Sequence, residues 1–536
     1  MKKEISRRDF IKATAVTGAG FLVAAGNFHK PARASALQGI AVACIGVGNQ
    51  GARDTRNAGY FCHTVGNYNG HIVALCDVDQ DMLNGSGEKY SAARDFPDAK
   101  KFVDYRDVFE EMAGKVDACT ISTPDHMHAI ITATAMKYGV HVYTQAPLTR
   151  TIYEARYLAE LARKNPGLCT QMGDHYSLAP EFRRTAAQYK AGVIGEIREI
   201  HFLGSDFGIL GSISDHKPYM MTMEKYSREM REKYSMDDAE DAIAKMKFQI
   251  KKDLKKFAWD LWLGVAPERE YWPEDPYHRY WNHWWDFGTG YMGCIRQVAT
   301  NMMFRALELK DPTYAVATSS GHDNKTFPKE VTIEIDFPEN EWRGPVKCYW
   351  YSNESEGKSA LREELRKYDY GDPIHFNTVV LGEKGAGFNK CSGTDEGSLQ
   401  DDYLQDKFYE EYGDEIPRIP ESQTKVVFSP VEEQWHPTKR LINVYATAHI
   451  CEWLYAIQEG KPELCSSNFA NHAGPLCESL LVGNLALWGA NEPNIRGEIE
   501  WDSASMSVKN LKDVPGLENL IKPVYQNGYE QLDQIS

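Results

Sequence analysis

Gly46, Gly48 and Gly51 stand at Gly-x-Gly-x-x-Gly spacing, directly after the apolar run Ile40 to Ile45 and ahead of an amphipathic stretch that can open a helix. In such a strand, turn and helix the first glycine permits the tight turn. The second lets the backbone approach a pyrophosphate, and the third lets helix and strand pack closely. Asn49, Gln50 and the unpaired N–H groups of the helix start are then placed to meet phosphate oxygens. A second apolar run, HIVALC, ends in Asp77. A carboxylate there accepts hydrogen bonds from a ribose diol and repels a 2′-phosphate, so NAD is expected as cofactor and NADP is disfavoured. The gap between glycine turn and acid exceeds the usual ~20 residues, and YFCHTVGNYNG reads as an insertion that accounts for it. The plainer reading of Asp77 is a strand end that caps the next helix.

Other groups with chemical potential lie further on. STPDHMHA offers Thr123, Pro124, His126 and His128 on a strand-to-helix loop, where they are expected to position the cofactor. A His-x-His metal site is the weaker reading. VHVYTQAP brings Gln145 and Pro147 to the end of another strand, and TQMGDHY offers Asp174, His175 and Tyr176 beside it. His175 is the candidate proton acceptor, because an imidazole titrates near neutrality. It reads equally well as a surface loop histidine. YHRYWNHWWDFGTG adds His278, Arg279, His283, Trp285 and Asp286, with Arg296 downstream. Aromatic faces stack on the C–H faces of sugars while a few polar groups fix orientation, which makes His283, Trp285, Asp286 and Arg296 the expected substrate contacts. The same aromatic run suits core packing.

The elements that must hold these residues follow from periodicity. Apolar strand runs alternate with helical stretches from residue 40 to about 165, which predicts an α/β fold with a doubly wound parallel sheet and a ligand beyond the strand C-termini. Beyond Gly321, EVTIEIDF, VKCYWYSN and NTVVLGEKGAG alternate with polar turns, as antiparallel strands do. Segment 222–256 is rich in helix formers and interleaved charge and reads as a solvated helical insertion within 212–256, with a partner-binding arm as the alternative. Residues 1–36 carry Arg7-Arg8, a small-residue apolar run and ARASA, the features of an export signal of the twin-arginine type. The expected division is therefore signal 1–36, Rossmann domain 37–165 and C-terminal substrate and oligomerisation domain 166–536. The formal net charge of −16 argues against a nucleic-acid partner. The 11 cysteines show no CxxC pair, so neither a metal site nor a disulfide framework is indicated. No segment of the mature chain is long and apolar enough to span a membrane.

Taken in order, GVGNQG, CDVD, STPDHMHA, HVYTQAPLTRTIYEARYLAELA, VIGEIREIHF, WDLWLGVAP, WWDFGTG and NFANHAGPLCESLLVGNLAL resemble the Gfo/Idh/MocA oxidoreductases, and especially their exported branch. The resemblance implies an N-terminal Rossmann domain, a C-terminal α/β domain with a mainly antiparallel open sheet, and a sugar, polyol or glycoside bound between that sheet and the nicotinamide. It also implies a homo-oligomer, or a pair with a paralogue. The family's strand usually ends in Glu-Lys-Pro, and its lysine works beside a downstream histidine. Here Gln145-Ala146-Pro147 stands in that place, and an ungapped register puts Val298 at the histidine position, Asn301 at the last aspartate and Cys294 at an earlier one. Alanine and valine move no proton. Three readings follow: an exported oxidoreductase with a rearranged proton relay, an NAD-dependent glycoside-cleaving enzyme that oxidises a ring carbon transiently, or a noncatalytic carbohydrate-binding or partner subunit.

Overall fold

The computed structural model describes residues 39–64, 71–85, 92–175, 185–186, 188–203, 221–273, 280–352, 361, 363, 378–389, 398–399, 441–510 and 514–535. The export signal, Tyr176, His278 and Arg279 lie outside them. Arg296, Cys294 and Val298 fall on a described helix, outside its described side chains.

The first half forms a six-stranded parallel sheet in the order β3-β2-β1-β4-β5-β6. Its strands are β1 (Ala41–Ile45), β2 (His71–Cys76), β3 (Lys100–Phe102), β4 (Ala118–Ile121), β5 (His141–Thr144) and β6 (Thr170–Met172). The expected doubly wound sheet is present, and its order reverses between β1 and β4, which opens a crevice at their C-terminal ends. Strands β1, β4 and β5 are buried on both faces, as continuous apolar runs require. Strand β3 has no such run: of Lys-Lys-Phe only Phe102 is buried, so alternation could not announce it. β6 lies past residue 165 yet belongs to this sheet.

The second sheet has nine strands in the order β13-β12-β11-β7-β10-β9-β8-β14-β15. These are β7 (Ile197–Phe202), β8 (Tyr314–Ser319), β9 (Val331–Phe337), β10 (Val346–Tyr351), β11 (Thr378–Gly382), β12 (Gly385–Asn389), β13 (Ser398–Leu399), β14 (Gly497–Asp502) and β15 (Ser507–Val508). All neighbours pair antiparallel except β7 with β10. Alternate residues of β9 are buried, so one face is inner and the other is wetter.

Two helices of the C-terminal part join the layers. Among them Gly474–Gly489 is apolar on every side and buried along most of its length, because it lies between helix Ile152–Lys164 of the first unit and β8, β9 and β14 of the second. Helix Leu441–Glu459 crosses back to pack on helix Gln50–Thr64, so part of the C-terminal half forms an outer layer of the first sheet. The insertion is a helix pair, Met223–Lys233 and Met236–Asp253, packed on each other. Thr222 and Ser235 cap them by accepting from Lys225 N (3.1 Å) and Asp238 N (3.3 Å).

Candidate active site

The glycine turn is built as the spacing requires. Gly46 has φ +76°, and a Cβ there would stand 2.6 Å from the Ser122 carbonyl oxygen. A Cβ on Gly51 would stand 1.8 Å from the Gly46 carbonyl oxygen. Any side chain at either position would push the helix off β1 and β4. Behind the turn, Asp77 accepts from Val47 N and Asp79 N, both at 2.9 Å. Desolvation raises its pKa to about 6, and the backbone donors hold it down against that. Each oxygen keeps a lone pair for a further donor such as a ribose hydroxyl.

A cleft of about 620 Å³ opens over these residues. Gly46, Gly48, Asn49, Gln50, Asp77, Thr123 and Pro124 line it, together with Asp104, Tyr105, Met127, Phe257, Trp262, Trp281 and Tyr529. Its volume suits an enclosed organic ligand. Thr123 Oγ1 is buried with no hydrogen-bond partner among the described residues, a polar atom that a ligand would satisfy. The glycine cradle, the ribose-level carboxylate and this orphaned hydroxyl together fit a dinucleotide.

Two straps from beyond the first sheet flank the cleft. One leaves the insertion: Gln80 N donates to Lys256 O (2.8 Å), Ala258 N donates to Val78 O (2.9 Å), and Lys256 pairs with Asp81 at 2.9 Å. The other is the C-terminal tail. Asn527 Nδ2 donates to Gly264 O (2.8 Å) and Ala266 O (2.9 Å), and the Arg106 guanidinium lies over the Tyr529 ring at 5.0 Å.

At the β4–β6 end a different cluster forms. Asp54, on the helix after the glycine turn, is fully buried. It accepts from Ser122 Oγ (2.7 Å), Gln145 Nε2 (2.8 Å) and Gln50 Nε2 (3.0 Å). Burial raises its pKa to about 6, against the pull of those donors. The Gln145 side chain covers Gly173, where a Cβ would meet Oε1 at 2.4 Å. Two residues further on, His175 has an Nε2 that is buried without a described partner, and its ring meets His449 edge-on at 6.0 Å. Burial and the nearby Arg53 charge lower its pKa to about 4, so the ring is neutral at physiological pH. Asp174 is fully buried beside it and accepts from Asn301 Nδ2, while the Asn301 carbonyl faces His472 Nε2. Burial raises the Asp174 pKa to about 8.

Residues 40–172 match a family described as an oxidoreductase family with an NAD-binding Rossmann fold. This segment is a Gfo/Idh/MocA Rossmann domain. Residues 4–24 match the twin-arginine translocation signal, so the Gfo/Idh/MocA domain travels with an export sequence. Among curated proteins, the D-glucoside 3-dehydrogenase of Escherichia coli is 28% identical over 158 residues, 30% of this chain and 41% of that one. A glycosyl hydrolase family 109 protein of Shewanella pealeana is 24% identical over 211 residues, 36% of this chain and 44% of that one. The chain thus matches under half the length of these curated relatives. Among solved structures, the WlbA dehydrogenase from Bordetella pertussis in complex with NADH and UDP-GlcNAcA superposes with a TM-score of 0.49 at 10% identity, covering 87% of this chain and 99% of that one. An inositol dehydrogenase homolog from Azotobacter vinelandii, complexed with NADH and myo-inositol, gives 0.46 at 14% identity, with 86% and 97% covered.

Within the Gfo/Idh/MocA domain the residues expected at the cofactor divide. Gly46, Gly48, Asn49, Gln50, Asp77, Thr123 and Pro124 line the cleft, and Gly51 supports it from below. His126 and His128 do not line it. His126 is buried between Trp262 and Phe287, with Nε2 at 3.0 Å from Trp262 O. His128 sits between Pro147 O and Thr123 O, each at 2.7 Å, and so ties together the loops after β5 and β4. A buried imidazole with such carbonyl partners is a structural brace rather than a ligand contact. Gln145 serves Asp54, and Pro147 serves His128.

Of the expected substrate residues, His283, Trp285 and Asp286 do not line the cleft, and the Arg296 side chain lies outside the described ones. Trp285 is core: it packs on Phe327 with centroids 3.8 Å apart and donates from Nε1 to Thr326 O at 3.1 Å. Asp286 is held in an ion pair with Arg269, and buried His283 stacks on Tyr280. Of that aromatic run Trp281 lines the cleft. The sequence reading missed Asp54, Tyr105, Phe257 and Tyr529. Asp54 alone left a signal, an acid three residues beyond Gly51 on the helix that the glycine turn opens. Among the described residues no cluster could hold a metal ion, and no helix is long and apolar enough to cross a membrane.

Proposed function

We propose that this protein is an exported, NAD-dependent oxidoreductase that acts on a sugar, polyol or glycoside in the periplasm or a comparable compartment, with His175 as proton acceptor. The observation that carries the reading is the cleft in which the Asp77 carboxylate, a glycine cradle and an unsatisfied Thr123 hydroxyl converge. NAD, when bound, supplies the hydride acceptor. The chain must then bind and orient substrate and take one proton from the carbinol oxygen. Ala146, where the family carries lysine, cannot do so. His175 stands at the C-terminal end of the neighbouring strand β6, neutral, with one ring nitrogen unengaged. Gln145, locked onto Asp54, and Asp174, locked onto Asn301, hold the two strand ends that frame it. Relatives named for glucoside oxidation and for glycoside hydrolysis support a carbohydrate substrate, and the latter favour a second reading in which ring oxidation precedes elimination of the aglycone.

The test is to denature protein recovered from its export compartment and assay the supernatant for NAD(H) and NADP(H). A glycoside screen follows, with His175→Ala as control. One NAD per chain, turnover of a glycoside or free sugar, and a loss of roughly 10²–10⁴-fold in His175→Ala are expected. Net oxidation of free sugar marks the first reading and aglycone release the second. A chain that neither contains nor takes up dinucleotide overturns both, and leaves a noncatalytic carbohydrate-binding or partner subunit.

A further inference from the structure

We propose, on the dinucleotide reading above, that the β3 end of the cleft selects the purine: Asp104 accepts a hydrogen bond from the exocyclic amino group of adenine, and Tyr529 of the C-terminal tail supplies a stacking surface for the ring. The sheet order sets the direction. Strands β3, β2 and β1 are neighbours in that order, and the cleft runs over the C-terminal end of each. Gly46 and Gly48 follow β1, Asp77 follows β2, and Val103, Asp104 and Tyr105 follow β3. Phosphates at the glycine turn and a ribose at Asp77 leave the base to the next strand end, one spacing of about 4.8 Å further on. Asp77 N donates to Phe102 O (3.2 Å), which ties those two strand ends together. Met127 and Ile131, from helix Asp125–Lys137, line the cleft with Phe257 and Tyr529. Apolar and aromatic walls of this kind suit a flat ring.

Asp104 brings a carboxylate into this wall. It is buried, and Arg106 fixes its orientation: the Arg106 backbone N donates to Oδ1 at 3.0 Å, Nε bridges Oδ1 and Oδ2 at 3.0 and 3.1 Å, and Nη2 donates to Oδ2 at 2.6 Å. A carboxylate has about four lone-pair sites, so these three donors leave one acceptor position. Arg106 itself does not line the cleft, because its guanidinium is held by Asp104 and lies over the Tyr529 ring at 5.0 Å. A base in the cleft therefore meets an acceptor and not the donors of the fork. Adenine offers N–H groups at that edge, whereas hypoxanthine and guanine carry a carbonyl oxygen there. Against Asp104 such an oxygen faces a second acceptor, and both lose their hydrogen bonds. Capping of helix Tyr105–Glu111 accounts for the bond from Arg106 N. It does not account for a carboxylate in the cleft wall braced by a cation that stays outside it. The stacking surface is fixed as well: Tyr529 N donates to Gln526 O (3.1 Å), and Asn527 anchors the segment to Gly264 O and Ala266 O.

The probe is nicotinamide hypoxanthine dinucleotide, which carries a carbonyl where NAD carries the adenine amino group. Exported protein is incubated with equal concentrations of this analogue and of deuterium-labelled NAD, both in excess over sites, until the bound ratio is constant. Gel filtration, denaturation and mass spectrometry then count each dinucleotide. The native protein should hold labelled NAD over the analogue by roughly 10- to 100-fold. Asp104→Asn keeps a good helix cap and adds an amide donor, and should bring the two to within about threefold of each other. Tyr529→Ala should weaken retention of both and leave their ratio unchanged, because stacking does not sense the exocyclic group. Equal retention of the two by native protein, or a preference that survives in Asp104→Asn folded by circular dichroism, would overturn the inference and leave the dinucleotide reading in place. Protein that holds neither compound and carries no resident NAD sinks the dinucleotide reading itself, and the base selection with it.

Discussion

Exchanging Gln145 for Glu tests the polar cluster that stands where the lysine route is missing. The Gln145 amide is oriented from both ends: Oε1 accepts from Ala146 N at 3.3 Å, and Nε2 donates to Asp54 at 2.8 Å. Glutamate replaces that donor with a second carboxylate. Two charges roughly 3 Å apart repel by about 5 kcal/mol at an effective dielectric of about 20. Keeping a proton on Asp54 is cheaper: its pKa is already about 6, so protonation at about pH 7 costs about 1.4 kcal/mol. The folded variant therefore holds one proton on the pair, while both acids are ionised in the unfolded chain. In the native sequence, Asp54 is raised from 3.8 to about 6, so its own effect weakens the fold as pH rises between those values and is constant above them. Above about pH 6 the extra proton belongs to the variant alone, and its stability deficit should grow by about 1.4 kcal/mol per pH unit, or about 2.7 kcal/mol between about pH 6 and 8. Urea unfolding of both proteins at several pH values measures this. The Asp54→Asn/Gln145→Glu double variant should lose the slope, because the asparagine amide again supplies a donor. Parallel curves for the native protein and Gln145→Glu would refute the reasoning.

Three further outcomes follow from the same geometry. Asp77 titrates at about 6, so retained NAD should fall as pH drops through that value, and Asp77→Asn should show weaker retention without that dependence; gel filtration followed by dinucleotide assay reads both. His175 is held at about 4, so kcat/KM should stay level as pH falls through the ordinary histidine range and decline only near about pH 5 or below. Tyr529→Ala removes a cleft wall and the partner of Arg106, and dissociation of NAD should accelerate roughly two- to tenfold, the worth of one aromatic contact, in a displacement assay with labelled NAD.

Local chemistry made the first sheet legible. Buried parallel strands are unbroken apolar runs, and the glycines at 46 and 51 are dictated by atoms within 3 Å of where a Cβ would lie, so spacing alone carried their meaning. β3 was hidden because a three-residue edge strand with one buried side chain has no period to read. The aromatic run from Tyr280 to Trp285 misled for a related reason: sequence shows that rings are present but not which way they face. Trp281 faces the cleft while Trp284 and Trp285 enter the core. The long-range contacts were invisible altogether, since Phe257 and Tyr529 reach the cleft on segments held by backbone and side-chain hydrogen bonds whose partners no local window contains.

Asp54 shows what such reading loses at the proposed site. In sequence it is one acid on a helix, and Gln145 is one departure from a family strand end. In space they are a donor and an acceptor 2.8 Å apart, fully buried on the Asp54 side. A glutamate at 145 would face that acid, so Gln145 and Asp54 suit each other as a pair, and the alanine that follows completes a strand end stripped of charge. The charge carriers at this edge lie instead at Asp54, Asp174 and His175, and burial shifts each toward its neutral form. Under the proposed chemistry Asp174 and His175 are neutral at about pH 7 and one His175 ring nitrogen is unengaged, while Asp54, at about 6, stays mostly ionised and is held by its three donors.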